Sequence, residues 1–470
     1  MSVAQEDRSG EDASRLLSEI VAETVLTSIP EHTMQAARLD LLDTLGCALA
    51  GWNAMGVREI RELMVEQGGK PSSGVWGTTS MIPAAQAAFT NAIASHALDF
   101  DDNHPGVLHT GASVIPAALA SAEAESVDDL DEILAAIVLG TEVADRLATA
   151  TIDGPGVSGW LLTPLCGYFG ASAASARIFQ LDTDAVQSSI GLAYVQASGN
   201  GQSTLDGALG KRMQPGFSAR GGVFASELAR KGLTGPTNSL EGLRGYFNVY
   251  HQGRYLPEAL RRDDANSWFM DDAMYKPYPC CGWTHSALEC AVAIANEGFQ
   301  AGEVESVEVG VNAQSYKSTG TPLPRRYAPQ TPVDAQFSIP FVFATAFLNG
   351  GIKLSDFAND ALARPDVLEL ARLVKVSIDP DLDAKYGRTV SPARVVVTFR
   401  DGSKREHTVL EPLGWGHRRI GREFLEEKFI MCCREGGVAL DVATELSTTI
   451  LKGSGSGSAE HLMSLLKVLQ

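Results

Sequence analysis

Residues 99–109 concentrate side chains that can transfer protons. They read DFDDNHPGVLH, with carboxylates at Asp99, Asp101 and Asp102 and histidines at His104 and His109. The chain has 470 residues and only nine histidines, so two within six residues are not expected from composition. Histidine titrates near neutral pH, and a neighbouring carboxylate can orient its ring and tune its pKa. The stretch is predicted to carry an acid–base site, although the aspartates could instead cap the following helix.

A pair of cations stands before a Pro-Gly turn signal. Residues 211–216 read KRMQPG, and a helix is predicted to begin near Phe217. The N-terminus of a helix presents unpaired N–H groups and a partial positive charge. Lys211 and Arg212 next to such an end could bind a carboxylate. The alternative is a basic turn on the surface.

A stiff, largely apolar segment, YKPYPCCGWTH at residues 275–285, contains two further titratable groups. Burial lowers the pKa of a lysine and favours neutral imidazole, so Lys276 and His285 are candidate bases or proton donors. The alternative is a rigid connector between domains in which His285 is structural. Tyr316 follows a predicted strand and matters only if its loop faces a cleft.

Other cofactor and nucleophile motifs have little support. Cys280, Cys281 and His285 lack a fourth ligand and a usual zinc spacing. Residues 154–159 match GxGxxG but follow a helix-like segment rather than a strand, which disfavours a dinucleotide site. The GxSxG motif typical of serine hydrolases does not occur. We therefore predict no metal and no cofactor.

Composition narrows the possible partners and the compartment. The formal net charge of −19 disfavours binding to nucleic acids and to anionic membranes. No apolar run approaches the ~20 residues of a transmembrane helix. Seven cysteines form no regular disulfide pattern, and a reduced cytoplasmic protein is predicted.

The hydrophobic pattern divides the chain into three parts. Residues 1–268 have helical spacing, with several stretches so rich in Ala and Gly that helices could pack closely. Residues 269–410 contain alternating strand patterns, a hairpin at Asp401-Gly402 and a helix near 336–349, which predicts a small α+β domain. Residues 411–470 are again helical, interrupted by a predicted flexible Gly-Ser linker at 453–458.

The motifs together resemble the MmgE/PrpD family of 2-methylcitrate dehydratases, cis-aconitate decarboxylases and iminodisuccinate epimerases. The similarity runs over residues 15–450 and rests on DFDD with His109, on 211–216, on 276–285 and on DAQFSIP at 334–340. It implies a mainly α fold, in which a large helical domain built from both chain ends carries an inserted α+β lid. It also implies a homodimer and cofactor-free, metal-free chemistry on small anionic carboxylates between domain and lid.

The resemblance also assigns residues. The family's active-site positions correspond to Asp99, His109, Lys211 and His285, and less closely to Lys276 and Tyr316. Cys281 stands where some members have histidine, and Gln214 stands where many do; at both positions this chain resembles the fungal decarboxylases instead. The chain's own motifs add His104 and Arg212 as candidate substrate-binding residues. The sequence departs from the family's Gly-Trp-His at Leu161, which cannot transfer a proton.

A lyase acting on a di- or tricarboxylate is the predicted function, by dehydration or decarboxylation through a carboxylate-stabilised carbanion. His109, oriented by Asp99, is expected to move the proton, and His285 to act from the lid. Lys211 and Arg212 are expected to neutralise substrate charge. Two alternatives stay open: an epimerase or double-bond isomerase of a small dicarboxylate, and a catalytically silent family member.

Overall fold

A computed structural model describes residues 13–105, 108–152, 159–261, 267–387 and 390–467. Most of the candidate dinucleotide motif at 154–159 lies outside these ranges. Helices dominate the described part before residue 268. Their bounds are Ala13–Glu23, Glu31–Gly51, Val57–Gln67, Ala84–His96, Gly111–Glu125, Leu130–Ala150, Leu162–Ile178, Thr183–Gln196, Gln202–Asp206, Gly210–Arg230, Tyr246–His251 and Pro257–Leu260.

Small residues let these helices approach closely, as predicted. A Cβ atom built on Gly140 would lie 2.7 Å from the carbonyl oxygen of Gly170, and one built on Gly170 would lie 2.8 Å from that of Gly140. No larger side chain fits between the two backbones. The region also holds a short hairpin, strand β1 (Ser73–Gly74) paired with β2 (Met81–Ile82), which the helical pattern did not predict.

One mixed four-stranded sheet lies in the second part of the chain. Its strands are β3 (Val304–Val311), β4 (Val374–Ile378), β5 (Ala393–Phe399) and β6 (Lys404–Val409), in the order β4-β3-β5-β6. β4 runs parallel to β3, and the other neighbours are antiparallel. The strand patterns and the β5–β6 hairpin are confirmed. The helices among and before these strands include His285–Ala295, Pro332–Gln336, Ile339–Asn349, Pro365–Ala371 and Pro380–Tyr386.

Three helices close the chain, at Arg422–Glu435, Leu440–Lys452 and Ser458–Leu465. They share a hydrophobic core with the N-terminal helix Glu31–Gly51. In the segment between the last two, which the sequence predicts to be a linker, Gly455 N donates to Asp129 Oδ1 at 3.1 Å. Its serines Ser454 and Ser456 bond to Asp131 and Asp128.

Separate cores support the proposed division of the chain. One core draws on both chain ends, and another takes all its members from residues 280–409. The mainly α fold with an α+β part is thereby confirmed, while the boundaries at 268 and 410 stay a proposal. Among the described residues, no helix has the length and apolarity needed to cross a membrane.

Candidate active site

The candidate site forms where the loop 97–110 meets two other segments. Asn103 N donates to Met274 O at 2.7 Å, and Met274 N donates to Asn103 O at 2.8 Å. On the other side, His109 N donates to Thr163 Oγ1 at 3.1 Å. These bonds hold the loop between the helix that starts at 162 and the segment that continues to Lys276.

Asp99 binds two buried ammonium groups. Lys211 Nζ donates to its Oδ1, and Lys276 Nζ lies 2.9 Å from both its Oδ2 and its carbonyl oxygen. Burial acts to raise the pKa of Asp99, but the two ammonium groups outweigh it and hold that pKa well below its usual range. Asp99 is therefore ionised at neutral pH.

The same contact corrects the prediction for Lys276. Burial acts to lower the pKa of Lys276, but the Asp99 carboxylate raises it above its ordinary value. Lys276 is thus a fixed cation and not a base. Burial alone lowers the pKa of a lysine, but here the lysine is buried together with the Asp99 carboxylate, and their ion pair outweighs that effect.

A second carboxylate, Asp101, joins two imidazoles. Its Oδ2 lies 2.7 Å from His96 Nδ1 and 3.4 Å from His109 Nδ1, and the two rings are 4.8 Å apart between centroids. Lys211 Nζ donates to His96 Nε2 at 2.8 Å. The carboxylate at 3.4 Å from the His109 ring is therefore that of Asp101, whereas the predicted partner Asp99 is engaged by the lysines.

Protonation follows from these contacts. Burial lowers the pKa of His96 to about 4, helped by Lys211 and opposed by Asp101, so its ring is neutral near pH 7. With Nε2 accepting from Lys211, the ring proton is on Nδ1 and is donated to Asp101. His109 has the more exposed side chain, at 15% against 2% for His96, and is the imidazole a ligand can reach.

The backbone at Asp99 is strained. Its φ is 52°, in the left-handed region that residues other than glycine seldom adopt. Such strain persists only where surrounding contacts fix it, and it is concentrated at functional sites. Here both lysines hold the residue in place.

These groups form one end of a cleft with a volume of about 800 Å³. Its charged end consists of His96, Asp99, His109 and Lys211. Apolar side chains in its lining are Leu161, Leu162, Pro164, Leu205, Pro215, Trp283 and Phe337. Polar side chains in its lining are Thr163, Asn200, Gln202, Thr204, Cys281, Gln314, Lys317, Ser318 and Thr321.

His104 lies outside this cleft, in a separate buried cluster. Its Nδ1 is 2.8 Å from Asp145 Oδ2 and its Nε2 is 3.2 Å from Asp102 Oδ2. Burial acts to lower the pKa of His104, but these carboxylates raise it well above its usual value. Its two nitrogens point to neighbouring acids, so the predicted contact with substrate does not fit its position.

Arg212 does not line the cleft either. Its Nη1 donates to the carbonyl oxygen of Met55 at 3.0 Å. The helix predicted to begin near Phe217 begins at Gly210, so Lys211 and Arg212 lie in its first turn and project differently. Lys211 alone of this pair reaches the site.

Of the remaining predicted residues, Cys281 lines the cleft, whereas Gln214, Tyr316 and His285 do not. Cys281 lines the cleft with a thiol whose pKa burial raises to about 11. Gln214 exchanges hydrogen bonds with the backbone of Asn200, at 2.8 and 3.0 Å. Tyr316 packs on the sheet core.

His285 is fully buried between the rings of Tyr278 and Trp415, and its Nε2 lies 3.1 Å from the Cys280 carbonyl.

One ionisable residue of the described cleft lining was missed. His96 lies three residues before Asp99, within the stretch interpreted as helix up to Leu98, and the helix ends at His96. Its proximity to the acidic loop was the available signal. Lys317, which follows the same strand as Tyr316, lies in the π-helical turn Tyr316–Gly320 and lines the cleft.

Among the described residues, two clusters have ligand atoms close enough to one another for a metal ion, but the chemistry of both clusters fits a metal ion poorly. In the first, His96, Asp101 and His109, both nitrogens of His96 are occupied and an ammonium group is adjacent. In the second, Asp40, Asp102 and His104, the raised pKa of His104 leaves the ring without a free lone pair.

Known proteins match nearly the whole chain. Residues 15–258 match the MmgE/PrpD N-terminal domain, and residues 278–446 match the MmgE/PrpD C-terminal domain. A cis-aconitate decarboxylase of Aspergillus terreus is 27% identical over 407 residues, 82% of each chain. One of Mus musculus is 26% identical over 450 residues, 91% of this chain and 88% of the relative. A 2-methylcitrate dehydratase-like protein of Aspergillus oryzae is 23% identical over 380 residues, 75% of this chain and 74% of the relative.

Proposed function

The chain belongs to the MmgE/PrpD family, and from that premise we propose that it is a lyase acting on a small di- or tricarboxylate. The reaction is a decarboxylation or a dehydration of the cis-aconitate or 2-methylcitrate type. It passes through a carbanion stabilised by an adjacent carboxylate. The chain's own side chains supply both the proton transfer and the charge stabilisation.

One observation carries the proposal: the row of contacts from Lys211 through His96 and Asp101 to His109 at the end of the cleft. It places an ammonium group and a reachable imidazole on the same ligand site. The ammonium group can neutralise carboxylate oxygens, and the imidazole can exchange a proton with carbon. Preorganised charge of this kind is usually the largest contribution to catalysis.

Decarboxylation would proceed in two steps. The bond between carbon and the departing carboxylate breaks, its electron pair stays on the carbon, and CO₂ leaves. The charge spreads into a neighbouring carboxylate held at Lys211, and the carbon then takes a proton from His109. Asp101 acts as a positioning residue that holds the His109 ring.

Dehydration uses the same groups in another order. His109 removes a proton from the carbon next to a carboxylate, and the electron pair expels hydroxide from the adjacent carbon. The departing hydroxide takes a proton from solvent to become water, and His109 passes the proton it removed from carbon back to solvent. The choice between the two reactions depends on which substituent stands perpendicular to the carboxylate plane.

The cleft supports a lyase over the two alternatives. Epimerisation by two groups needs a base on one face of the carbon and an acid on the other, and of the two imidazoles in the described lining His96 is only 2% exposed, against 15% for His109. A silent scaffold gains nothing from burying Lys211, Lys276 and Asp99 together, since each buried charge costs desolvation energy. Leu161 is therefore better explained by a change in the substrate than by loss of function.

Proton NMR in D₂O tests the proposal. Purified protein is incubated with 2-methylcitrate, citrate, cis-aconitate, and aspartate- and tartrate-type diacids. Loss of CO₂ or of water from one of them is expected. Deuterium uptake without net loss would favour the isomerase, and silence without any ligand-induced rise in melting temperature would refute a lyase of the cis-aconitate or 2-methylcitrate type.

A further inference from the structure

We propose that the natural substrate carries an apolar substituent of several carbons, which binds along a hydrocarbon wall next to the charged end of the cleft. The inference rests on the proposed function for the charged end and names the substrate class more narrowly. The wall is defined by Leu161, Leu162, Pro164, Leu205, Trp283 and Phe337.

The wall is continuous with the catalytic groups. The Lys211 ammonium group lies 4.9 Å from the centre of the Phe337 ring, so hydrocarbon begins where the proposed carboxylate site ends. Thr163, which bonds the backbone of His109, stands between Leu162 and Pro164 in the sequence. One ligand can therefore touch both regions.

Part of this wall is open to solvent. Leu205 keeps 46% of its surface exposed, and Leu161 is half-buried at the N-cap of the helix that begins at Leu162. Neither can bond a carboxylate or hydroxyl group. The polar groups of a purely polar acid would lose their hydration against these side chains without forming new hydrogen bonds, which costs free energy. An alkyl group that covers the same side chains removes apolar surface from water, which is favourable.

The size of the cleft agrees with this assignment. A volume of about 800 Å³ lies in the range of about 300–1,000 Å³ that accommodates drug-sized ligands. The polar remainder of the lining includes Gln202, Gln314, Lys317 and Ser318, and it adds no carboxylate of its own. It suits a second anionic or hydroxyl group of the same ligand.

Calorimetry with unreactive diacids tests the wall separately from catalysis. The ligands are succinate, 2-butylsuccinate and 2-hexylsuccinate. We expect the dissociation constant to fall about fourfold per added methylene until the wall is covered. Leu161→Asn should flatten this series, so that the three ligands bind with similar dissociation constants, and asparagine is a favoured N-cap residue, so the helix is retained.

Two further variants complete the design. Leu205→Gln repeats the wall test at a second position, in case Leu161→Asn does not fold. Leu440→Asn is the matched control, since Leu440 is 68% exposed on a helix that does not line the cleft, and it should keep the full series.

The outcomes separate the two proposals. Lys211→Ala should weaken every diacid. If it does so while wild type binds all three ligands equally, the apolar wall is refuted and the carboxylate site stands. If the gain with chain length persists in both wall variants, the wall is also refuted. If no diacid binds the wild type, the proposed function itself fails.

Discussion

Among the individual residues, Asp99 contacts the most charged groups at the charged end of the cleft. Its carboxylate holds Lys211 and Lys276, and its left-handed backbone turns the chain so that Asp101 can meet His96. The sequence predicted that acids, cations and imidazoles would meet here because residue types alone carry that information. The sequence could not predict which carboxylate contacts which base. The backbone turn at Asp99 brings Asp101, and not Asp99, next to His109.

His285 is expected to act as a packing residue. Burial and Lys276 lower the pKa of His285 to about 3, so it is neutral and enclosed by aromatic rings. We predict that His285→Asn lowers the free energy of unfolding by ~1–3 kcal/mol and changes kcat less than threefold. Thermal unfolding and steady-state kinetics measure both. A hundredfold loss of kcat at unchanged Tm would restore the catalytic role that the sequence suggested.

Asp40 provides a test of buried charge. Burial and the charge of Asp102 raise the pKa of Asp40 to about 7, whereas an unfolded aspartate titrates near 3.9. The folded state therefore binds this proton more tightly, and the contribution to stability is complete below pH ~4 and is lost as the pH rises through 7.

Asp40→Asn removes that dependence. We predict that the variant is more stable than wild type at pH 8, and that the difference shrinks by up to ~1.4 kcal/mol per pH unit as the pH falls from 7 towards 5. Calorimetric unfolding at pH 5, 6, 7 and 8 measures it, with the exposed Asp441→Asn as control. A difference that is constant across this range would show that Asp40 does not titrate there.

Among the secondary-structure elements, the helix Gly210–Arg230 sets the position of Lys211, which lies in its first turn. A Pro-Gly pair usually marks a turn, which is why the sequence predicted a start near Phe217. The helix instead continues through Pro215 because it packs on Ala84–His96 and on Leu162–Ile178. Tertiary packing overrides the local signal, and no local rule could have anticipated it.

Gly222 tests that packing. A Cβ atom there would lie 2.5 Å from the backbone nitrogen of Ser172. Alanine gains ~1 kcal/mol of helix propensity over glycine, but overpacking costs ~1–3 kcal/mol, and a contact with backbone cannot be relieved by a rotamer change. We predict that Gly222→Ala lowers Tm. Gly302→Ala, with no atom within 4 Å, is the control, and equal Tm values would contradict the account.

In the molecule as a whole, the cleft lies between segments that are far apart in the chain. Gln336 Nε2 donates to the Leu98 carbonyl oxygen at 2.7 Å, and Cys281 N donates to the Gln336 carbonyl oxygen at 3.0 Å. The alternating pattern predicted the sheet, because a buried face imposes a period of two. It could not predict that Trp283 and Leu161 share one cleft, since no periodicity relates segments more than a hundred residues apart.

The homodimer stays a prediction, and the exposed face of one helix offers a test. Phe217 and Phe224 are seven residues apart on Gly210–Arg230 and are 37% and 47% exposed. We predict a solution mass of twice 49.9 kDa by sedimentation equilibrium, and dissociation in Phe224→Asp but not in Leu440→Asp. A wild-type mass of one chain, or a Phe224→Asp variant that stays dimeric, would reject this interface.

We propose that His109 moves the proton at a carbanion held beside Lys211. The most direct measurement is the turnover rate of the active carboxylate in D₂O, followed by NMR, for wild type and His109→Gln. Exposed His461→Gln serves as the matched control. We expect the turnover rate of His109→Gln to fall by about 10²–10⁴-fold at unchanged Tm, and that of the control to stay unchanged. A His109→Gln enzyme with wild-type turnover would contradict it.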